Sequence, residues 1–280
     1  MDLTRFRSRT ETNRHNGRPR VGRVVFTLLV AVLLSLFLLF VTIPVASLFL
    51  RISPEAFIRS LTEPVVLDAL SLSLVTATIS TVIVVIFGTP LALANARYDY
   101  PGRDIVDTLT DLPIVLPPAV AGIALLMAFG RRGVVGQYLD LFGIHIAFTT
   151  IAVILAQVFV ASPFYIRQAK ASFEAVDRLY EDAARTLGAS PWTVAFRITI
   201  PLAWGGLISG AILSFARALG EFGATIMFAG NLQGRTQTMP LAIYTTMQGD
   251  LDAAISLAII LVVISFAVIA AVKVVTRRKF

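Results

Sequence analysis

Six segments of the chain are long and apolar enough to cross a lipid bilayer, and they constrain its fold more than any other feature. A spanning helix needs about 20 mostly apolar residues, and a helix satisfies its own backbone hydrogen bonds where water is absent. Only 15% of the 280 residues are charged. The sequence therefore predicts an all-α membrane protein with six transmembrane helices, at residues 22–50, 66–96, 107–129, 148–167, 202–229 and 252–275.

The residues before the first span have a different composition. Residues 1–21 are polar and basic, and a segment with so few apolar residues is expected to be disordered. They are interpreted as a cytoplasmic tail that precedes a six-span domain at 22–280. The first span is not interpreted as a cleaved signal peptide, because its apolar run is too long and no small-residue cleavage site follows it.

Lysine and arginine are distributed unevenly between the two sides that six spans create. Of the 24 basic residues, all but six lie in the tail, the 97–105 loop, the 167–201 segment and the C-terminus. Short loops rich in basic residues lie on the cytoplasmic side of a membrane. The pattern predicts a multi-pass protein of the plasma membrane with both termini in the cytoplasm. Because the excess of basic residues is explained by this membrane orientation, it argues against nucleic-acid binding.

Residues that could catalyse a reaction or bind a metal ion are scarce. The chain has no cysteine, and neither of its two histidines, His15 and His145, has a further metal ligand nearby in the sequence. No paired catalytic groups converge by their spacing. The sequence therefore predicts no metal site and no catalytic residue.

The segment 172–201 has the pattern of an amphipathic helix. Apolar residues recur every three or four positions and charged residues fall between them. The apolar positions are Phe173, Val176, Tyr180, Ala183 and Leu187. Gly188 is expected to end this helix, because glycine tolerates the left-handed cap conformation. Ser190 and Pro191 predict the N-cap and the first residue of a second, short helix.

Three interpretations of this segment are open on physical grounds. It can be an ordinary surface loop, or an amphipathic helix that lies on the membrane. It can also be an element that docks into a groove of a cytoplasmic partner. The third interpretation is favoured.

Part of this segment resembles a family motif. Residues 182–201, DAARTLGASPWTVAFRITIP, are similar to the EAA motif of ABC importer permeases. Asp182 stands at the glutamate position, Gly188 at the glycine, Ile200 at a leucine and Pro201 at the final proline. The resemblance implies the type I ABC importer permease fold, with a cytoplasmic coupling helix that docks into a cleft of the ATPase subunit. It places eight residues at that contact: Glu181, Asp182, Ala183, Ala184, Gly188, Ser190, Pro191 and Trp192.

The lysines agree with an ATPase on a separate chain. A phosphate-binding loop needs the order GK[ST], and none of Lys170, Lys273 and Lys279 follows a glycine. ATP and Mg²⁺ are therefore expected on a partner subunit. This chain is expected to be a pore-forming subunit with no cofactor of its own, and not an enzyme.

Three further stretches extend the resemblance toward a substrate. Residues 111–133, 215–231 and 234–244 are similar to the molybdate permease branch of the oxyanion importers. The resemblance implies import of a tetrahedral oxyanion, with molybdate expected and tungstate or sulfate as alternatives. It also implies an extracytoplasmic binding protein and a second copy of the chain as partners, beside membrane lipid. An ATP-independent secondary transporter or channel is the alternative from another class.

Two ionisable residues lie inside the fifth predicted span. Arg217 and Glu221 are four residues apart, so a continuous helix would place them on one face. Ionisable groups within a span are costly and face protein or water rather than lipid. They are interpreted either as a structural ion pair or as part of the translocation pathway or its gate. In the second case the arginine could bind an oxyanion.

Overall fold

The computed structural model describes residues 20–277, and all regular secondary structure in that range is helical. Residues 1–19, which hold most of the predicted tail, and residues 278–280 lie outside the description. The chain divides after Arg51 into two compact units. The described part of the first unit is a single helix, α1 (Arg20–Arg51), whose apolar side chains are exposed.

The second unit, as far as the structure describes it, contains four long helices and eight shorter ones. The long helices are α3 (Pro64–Arg97), α7 (Thr150–Glu174), α10 (Ile200–Leu219) and α13 (Leu251–Arg277). The shorter helices are α2 (Pro54–Ser60), α4 (Arg103–Val115), α5 (Pro118–Phe129), α6 (Gly136–Asp140), α8 (Arg178–Thr186), α9 (Pro191–Val194), α11 (Gly223–Phe228) and α12 (Met239–Met247).

The predicted span 107–129 is two helices with a sharp bend between them. Within residues 20–277, five helical stretches are long and apolar enough to cross a membrane, and there are six if the bent pair α4 and α5 is counted as one span. The bend between α4 and α5 is 116°. Leu116 has the extended conformation that a following proline favours, and Pro117 and Pro118 lack the N–H groups that would continue the helix.

The predicted span 202–229 also has different bounds in the structure. Its helix ends at Leu219, and α11 begins only at Gly223. At the other end, α9 continues through a π-helical turn, Ala195–Thr199, directly into α10. One unbroken helical stretch therefore runs from Pro191 to Leu219.

Close packing of α7 against α3 and α10 forms the centre of the second unit. Small residues permit this approach, as is usual where helices associate within lipid. A Cβ atom at Gly88 of α3 would lie 3.0 Å from the ring of Tyr165, and one at Gly206 of α10 would overlap the side chain of Ser172. Tyr165 and Phe173 of α7 are fully buried in the resulting core.

Hydrogen bonds between buried polar side chains add to this packing. Ser80 of α3 donates to Oε1 of Gln157 on α7 at 3.0 Å. Ser214 of α10 donates to the carbonyl oxygen of Ala161 on α7 at 3.2 Å. Such bonds satisfy polar groups that have no water as a partner within a membrane, and they join α3, α7 and α10 into one scaffold.

Candidate functional site

The amphipathic segment contains a helix boundary that its periodicity did not indicate. We call residues 175–201 the motif segment. The helix expected to start at Ser172 is instead the end of α7, which stops at Glu174, followed by the separate helix α8. Asp177 explains the boundary, because its Oδ1 accepts a hydrogen bond from the Leu179 N–H at 2.9 Å and caps the new helix.

The turn after α8 has the predicted glycine geometry. Gly188 has a φ of +84°, in the left-handed region. Its N–H donates to the carbonyl oxygen of Arg185, and the next N–H, of Ala189, donates to that of Ala184. A Cβ atom at Gly188 would meet no other atom within 4 Å, so only the backbone conformation requires glycine within this chain. The prediction of a positive φ is confirmed.

The start of the second helix also agrees with the sequence prediction. The Oγ of Ser190 accepts a hydrogen bond from the Thr193 N–H at 3.3 Å, and Pro191 is the first residue of α9. Because α9 continues without a break into α10, a displacement of α9 would move the spanning helix with it. The motif segment is thus mechanically connected to the centre of the fold.

A buried ion pair provides a second connection. Glu181 is buried, and its Oε1 accepts hydrogen bonds at 2.8 Å from the Nε of Arg97 and from the hydroxyl of Thr199. Arg97 also donates to the carbonyl oxygen of Val176 at 2.9 Å. Arg97 ends α3 and Thr199 belongs to the π-helical turn, so Glu181 joins three elements.

The sequence pattern pointed to Glu181 but to neither of its partners. Arg97 was counted only as a basic loop residue, and Thr199 had no assigned role. Their separations of 84 and 18 residues exceed any helical spacing, so no local pattern could reveal these contacts.

The other predicted residues of α8 lie on its exposed surface. Asp182 and Ala183 are exposed, Ala184 is half-buried, and Leu187 at the end of the helix is 90% exposed. Arg185 lies 3.8 Å from carboxylate oxygens of both Glu181 and Asp182, a spacing that gives only weak pairing. This face combines small, acidic and apolar side chains and has room for a partner.

Trp192 lies in a different environment from the exposed face of α8. Its ring stacks on that of Phe196 with centroids 6.0 Å apart. Together with Ile86 and Pro90 of α3, the two rings border an apolar groove of about 280 Å³. Trp192 thus lies beside the spanning helix α3.

Arg217 and Glu221 are in contact, but not on one helix. Arg217 lies in the last turn of α10, and Glu221 follows the end of that helix. The Nη1 of Arg217 is 2.7 Å from Oε2 of Glu221, in charge contact but outside hydrogen-bond alignment. The other carboxylate oxygen accepts a hydrogen bond from the Ala224 N–H at 2.8 Å. Glu221 is fully buried. One of its carboxylate oxygens neutralises the arginine, and the other caps α11.

Arg217 also faces a small cavity at the bend between α4 and α5. The cavity has a volume of about 100 Å³ and is lined by Pro113, Leu116 and Pro118 from the bend and by Phe164 of α7, among others. The arginine is therefore held by Glu221 on one side and open to this cavity on the other. The sequence grouped Arg217 with Glu221 but gave no indication that the proline bend faces it.

Polar contacts fasten α4 to its neighbours. The Nζ of Lys170 is 2.6 Å from Asp107, and the Nε of Arg167 is 2.6 Å from Asp111. Asn95 of α3 also donates to Asp107 at 2.7 Å. Asp107 pairs with the later residue of α7 and Asp111 with the earlier one, so α4 runs antiparallel to α7 and both ion pairs lie along one seam.

Comparisons with known proteins identify the family. Residues 85–280 match the family described as the inner membrane component of binding-protein-dependent transport systems. The chain belongs to this family. The permease is 46% identical over 234 residues to the molybdenum transport system permease protein ModB of Mycobacterium tuberculosis, which covers 83% of this chain and 88% of that protein. It is 44% identical over 182 residues to ModB of Escherichia coli, which covers 65% of this chain and 80% of the relative.

A solved structure resembles the fold of the permease. A permease chain of a bacterial alginate ABC transporter, in complex with an alginate pentasaccharide-bound periplasmic protein, has a TM-score of 0.75. The likeness covers 91% of this chain and 94% of that one at 17% sequence identity, so it shows the fold alone. The resemblance to ABC importer permeases and the predicted fold are confirmed.

Proposed function

We propose that this permease carries a tetrahedral oxyanion, molybdate, into the cytoplasm as the membrane subunit of an ATP-driven importer. The observation that carries the proposal is the 46% identity to a molybdenum transport permease over 83% of the chain. Tungstate and sulfate have the same tetrahedral shape and charge and are the alternative substrates. An uptake assay with the binding protein, in which the three anions compete, tests the choice: molybdate must be the strongest competitor.

The motif segment is the proposed contact with the ATPase. Its exposed residues, Asp182, Ala183, Gly188, Ser190 and Pro191, form the docking surface together with the half-buried Ala184, and Leu187 adds an apolar anchor. Glu181 faces inward and positions this surface through Arg97 and Thr199. The continuous helix from Pro191 to Leu219 then transmits the motion of the ATPase to the membrane region.

ATP and Mg²⁺ belong, in this proposal, to the separate ATPase subunit, and the permease itself catalyses no reaction. Support comes from the family, whose description makes this chain one component of a larger transport system. The proposed orientation places the motif segment and both termini in the cytoplasm, because most basic residues lie on that side.

Two further partners complete the proposed assembly. An extracytoplasmic protein delivers the anion, as the periplasmic protein in the related alginate structure suggests. A second copy of the permease supplies the other wall of the pathway, because one chain with six spans is small for a route that opens alternately to either side. Membrane lipid surrounds the dimer.

The cavity at the α4–α5 bend is the proposed gate of the pathway. Arg217 faces it with donors suited to an oxyanion, and the neighbouring Glu221 limits how strongly an anion can bind there. Weak binding suits a gate, since a tight site would retain the anion. A secondary transporter would use similar residues but would need no ATPase, and ATP-independent uptake would favour that alternative.

A further inference from the structure

A second cavity lies at the end of α7 opposite to the motif segment. It has a volume of about 440 Å³ and opens between the end of α5, the loop before α7 and the loop after α11. The α7 helix contains 25 residues and is about 37 Å long at 1.5 Å per residue, which separates this cavity from the motif segment by the thickness of a membrane. We call it the loop cavity.

Positively charged and imidazole side chains converge on the loop cavity. Arg131, Arg235 and His145 line it, although they come from three different stretches of the chain. Asp140 lies 2.7 Å from Nδ1 of His145 and 4.0 Å from Nε of Arg131. Arg235 has no carboxylate within ion-pair distance among residues 20–277, so its charge is uncompensated.

The backbone that presents Arg235 is fixed by hydrogen bonds. The carbonyl oxygen of Leu232 accepts from the N–H groups of three residues, 235, 236 and 237. The hydroxyl of Thr150 donates to the carbonyl oxygen of Arg235 at 2.9 Å, which ties the turn to the start of α7. Arg235 therefore projects from a rigid turn and not from a free loop.

The wall of the loop cavity contains a strained residue. Phe148 has a φ of +61°, which is rare for a residue with a bulky side chain, and its N–H donates to the carbonyl oxygen of Phe228. Its ring also lies 3.1 Å from where a Cβ atom of Gly230 would be. Strained residues of this kind cluster at functional sites, where surrounding contacts hold them in place.

We propose that the loop cavity is a transient binding site for a tetrahedral oxyanion at its point of entry. Arg131 and Arg235 supply donors for the anion oxygens, and Leu126, Phe148 and Leu232 form the apolar part of the cavity wall. Because the cavity is open and Asp140 offsets part of its charge, binding is weak enough for the anion to move on. The assignment of molybdate as the ligand rests on the proposed function.

Histidine NMR tests the site directly, because the chain has only two histidines. The full-length permease is labelled with ¹³C at histidine Cε1, placed in phosphatidylcholine nanodiscs and titrated with sodium molybdate at constant ionic strength. A His15→Gln variant assigns the two signals. We expect a saturable shift of the His145 signal and none of the His15 signal.

Matched variants separate a specific site from general attraction to positive charge. Arg235→Gln removes the unpaired cation from the loop cavity, and the molybdate concentration at half-saturation should rise roughly ten-fold, the usual effect of losing one charge-assisted hydrogen bond. Arg132→Gln removes an equal charge from an exposed neighbour that does not line the cavity, and half-saturation should stay unchanged. Equal effects of both variants, or an unsaturable shift, would overturn the proposal.

Two further experiments test whether a different molecule occupies the site. Nanodiscs with phosphatidylglycerol test a lipid headgroup: a His145 shift caused by this lipid that molybdate does not displace would overturn the proposal. Titration with the binding protein tests a docking surface: if Arg235→Gln weakens that binding and leaves molybdate binding unchanged, the proposal also fails. The NMR readout needs neither ATPase nor transport. Failure of the proposed anion site is therefore distinguishable from failure of molybdate import, because import is measured separately by uptake through the unmodified complex.

Discussion

Arg97 and Glu181 are 84 residues apart in sequence, yet they form an ion pair at 2.8 Å that is almost fully excluded from solvent. Arg97 ends a spanning helix, and Glu181 lies in the first turn of α8. The pair holds the inner face of α8 against the end of α3 and leaves the other face of α8 exposed. The position of the motif segment therefore depends on its contacts with the membrane-spanning part of the protein.

Removal of one partner of this pair should destabilise the segment. Glu181→Ala leaves the buried guanidinium of Arg97 uncompensated, a change that costs about 3–5 kcal/mol in comparable buried pairs. The double variant Arg97→Met/Glu181→Met should be milder than either single change. Thermal unfolding and ATPase stimulation in the reconstituted complex measure both effects. Glu174→Gln, an exposed change nearby, is the control, and equal behaviour of Glu181→Ala and this control would contradict the assigned role.

Substitution of Gly188 should affect coupling more than folding. Most L-residues at φ +84° cost about 1 kcal/mol, and a large side chain would also project into the proposed docking surface. Gly188→Arg should therefore leave the permease inserted in the membrane but reduce co-purification of the ATPase. Gly188→Asn is the matched control, because asparagine tolerates the left-handed region. Co-purification of the ATPase with Gly188→Arg at the wild-type level would show that this turn is no part of the contact.

Removal of the Arg217 charge should destabilise the permease, and a second change at Glu221 should recover part of that loss. Arg217→Met leaves the buried Glu221 carboxylate without its charge partner, and we expect a loss of about 1–3 kcal/mol. Adding Glu221→Gln should recover part of this loss, because the amide oxygen can still accept from the Ala224 N–H. Thermal unfolding of the purified permease provides the measurement. Additive losses in the double variant would show that the two charges are independent.

Trp192 should report the membrane and not the ATPase. The protein has two tryptophans, so a Trp204→Phe variant leaves Trp192 as the single tryptophan. Its position beside the α3 groove predicts quenching by brominated lipids, since aromatic side chains accumulate at the membrane interface. Addition of the ATPase should change this quenching little. Loss of quenching when the ATPase binds would show that Trp192 is part of the docking surface.

Local sequence signals predicted the features that depend on neighbouring residues. Hydropathy located the spans, and the Gly188 turn and the Ser190 cap followed from residue types that favour one backbone conformation. Hydropathy alone gave residues 107–129 as one span, and the 116° bend between α4 and α5 is seen only in the structure.

The features that the sequence did not reveal depend on tertiary contacts. Glu221 was placed on the fifth helix because a spacing of four fits a helix, whereas a glycine and the cap of α11 end that helix first. The partners of Glu181 are distant in sequence, and the cavities form only where several segments meet. Residue types therefore indicated which side chains matter, and packing decided what they contact.

Uptake of radioactive molybdate into proteoliposomes tests the central claim most directly. The vesicles contain the permease and its ATPase, with ATP on the ATPase side and loaded binding protein on the other side. The account predicts ATP-dependent accumulation by the wild type, and its loss in Gly188→Arg although the variant is inserted at the normal level. Accumulation that proceeds without ATP, or that is equal in wild type and Gly188→Arg, would contradict the account.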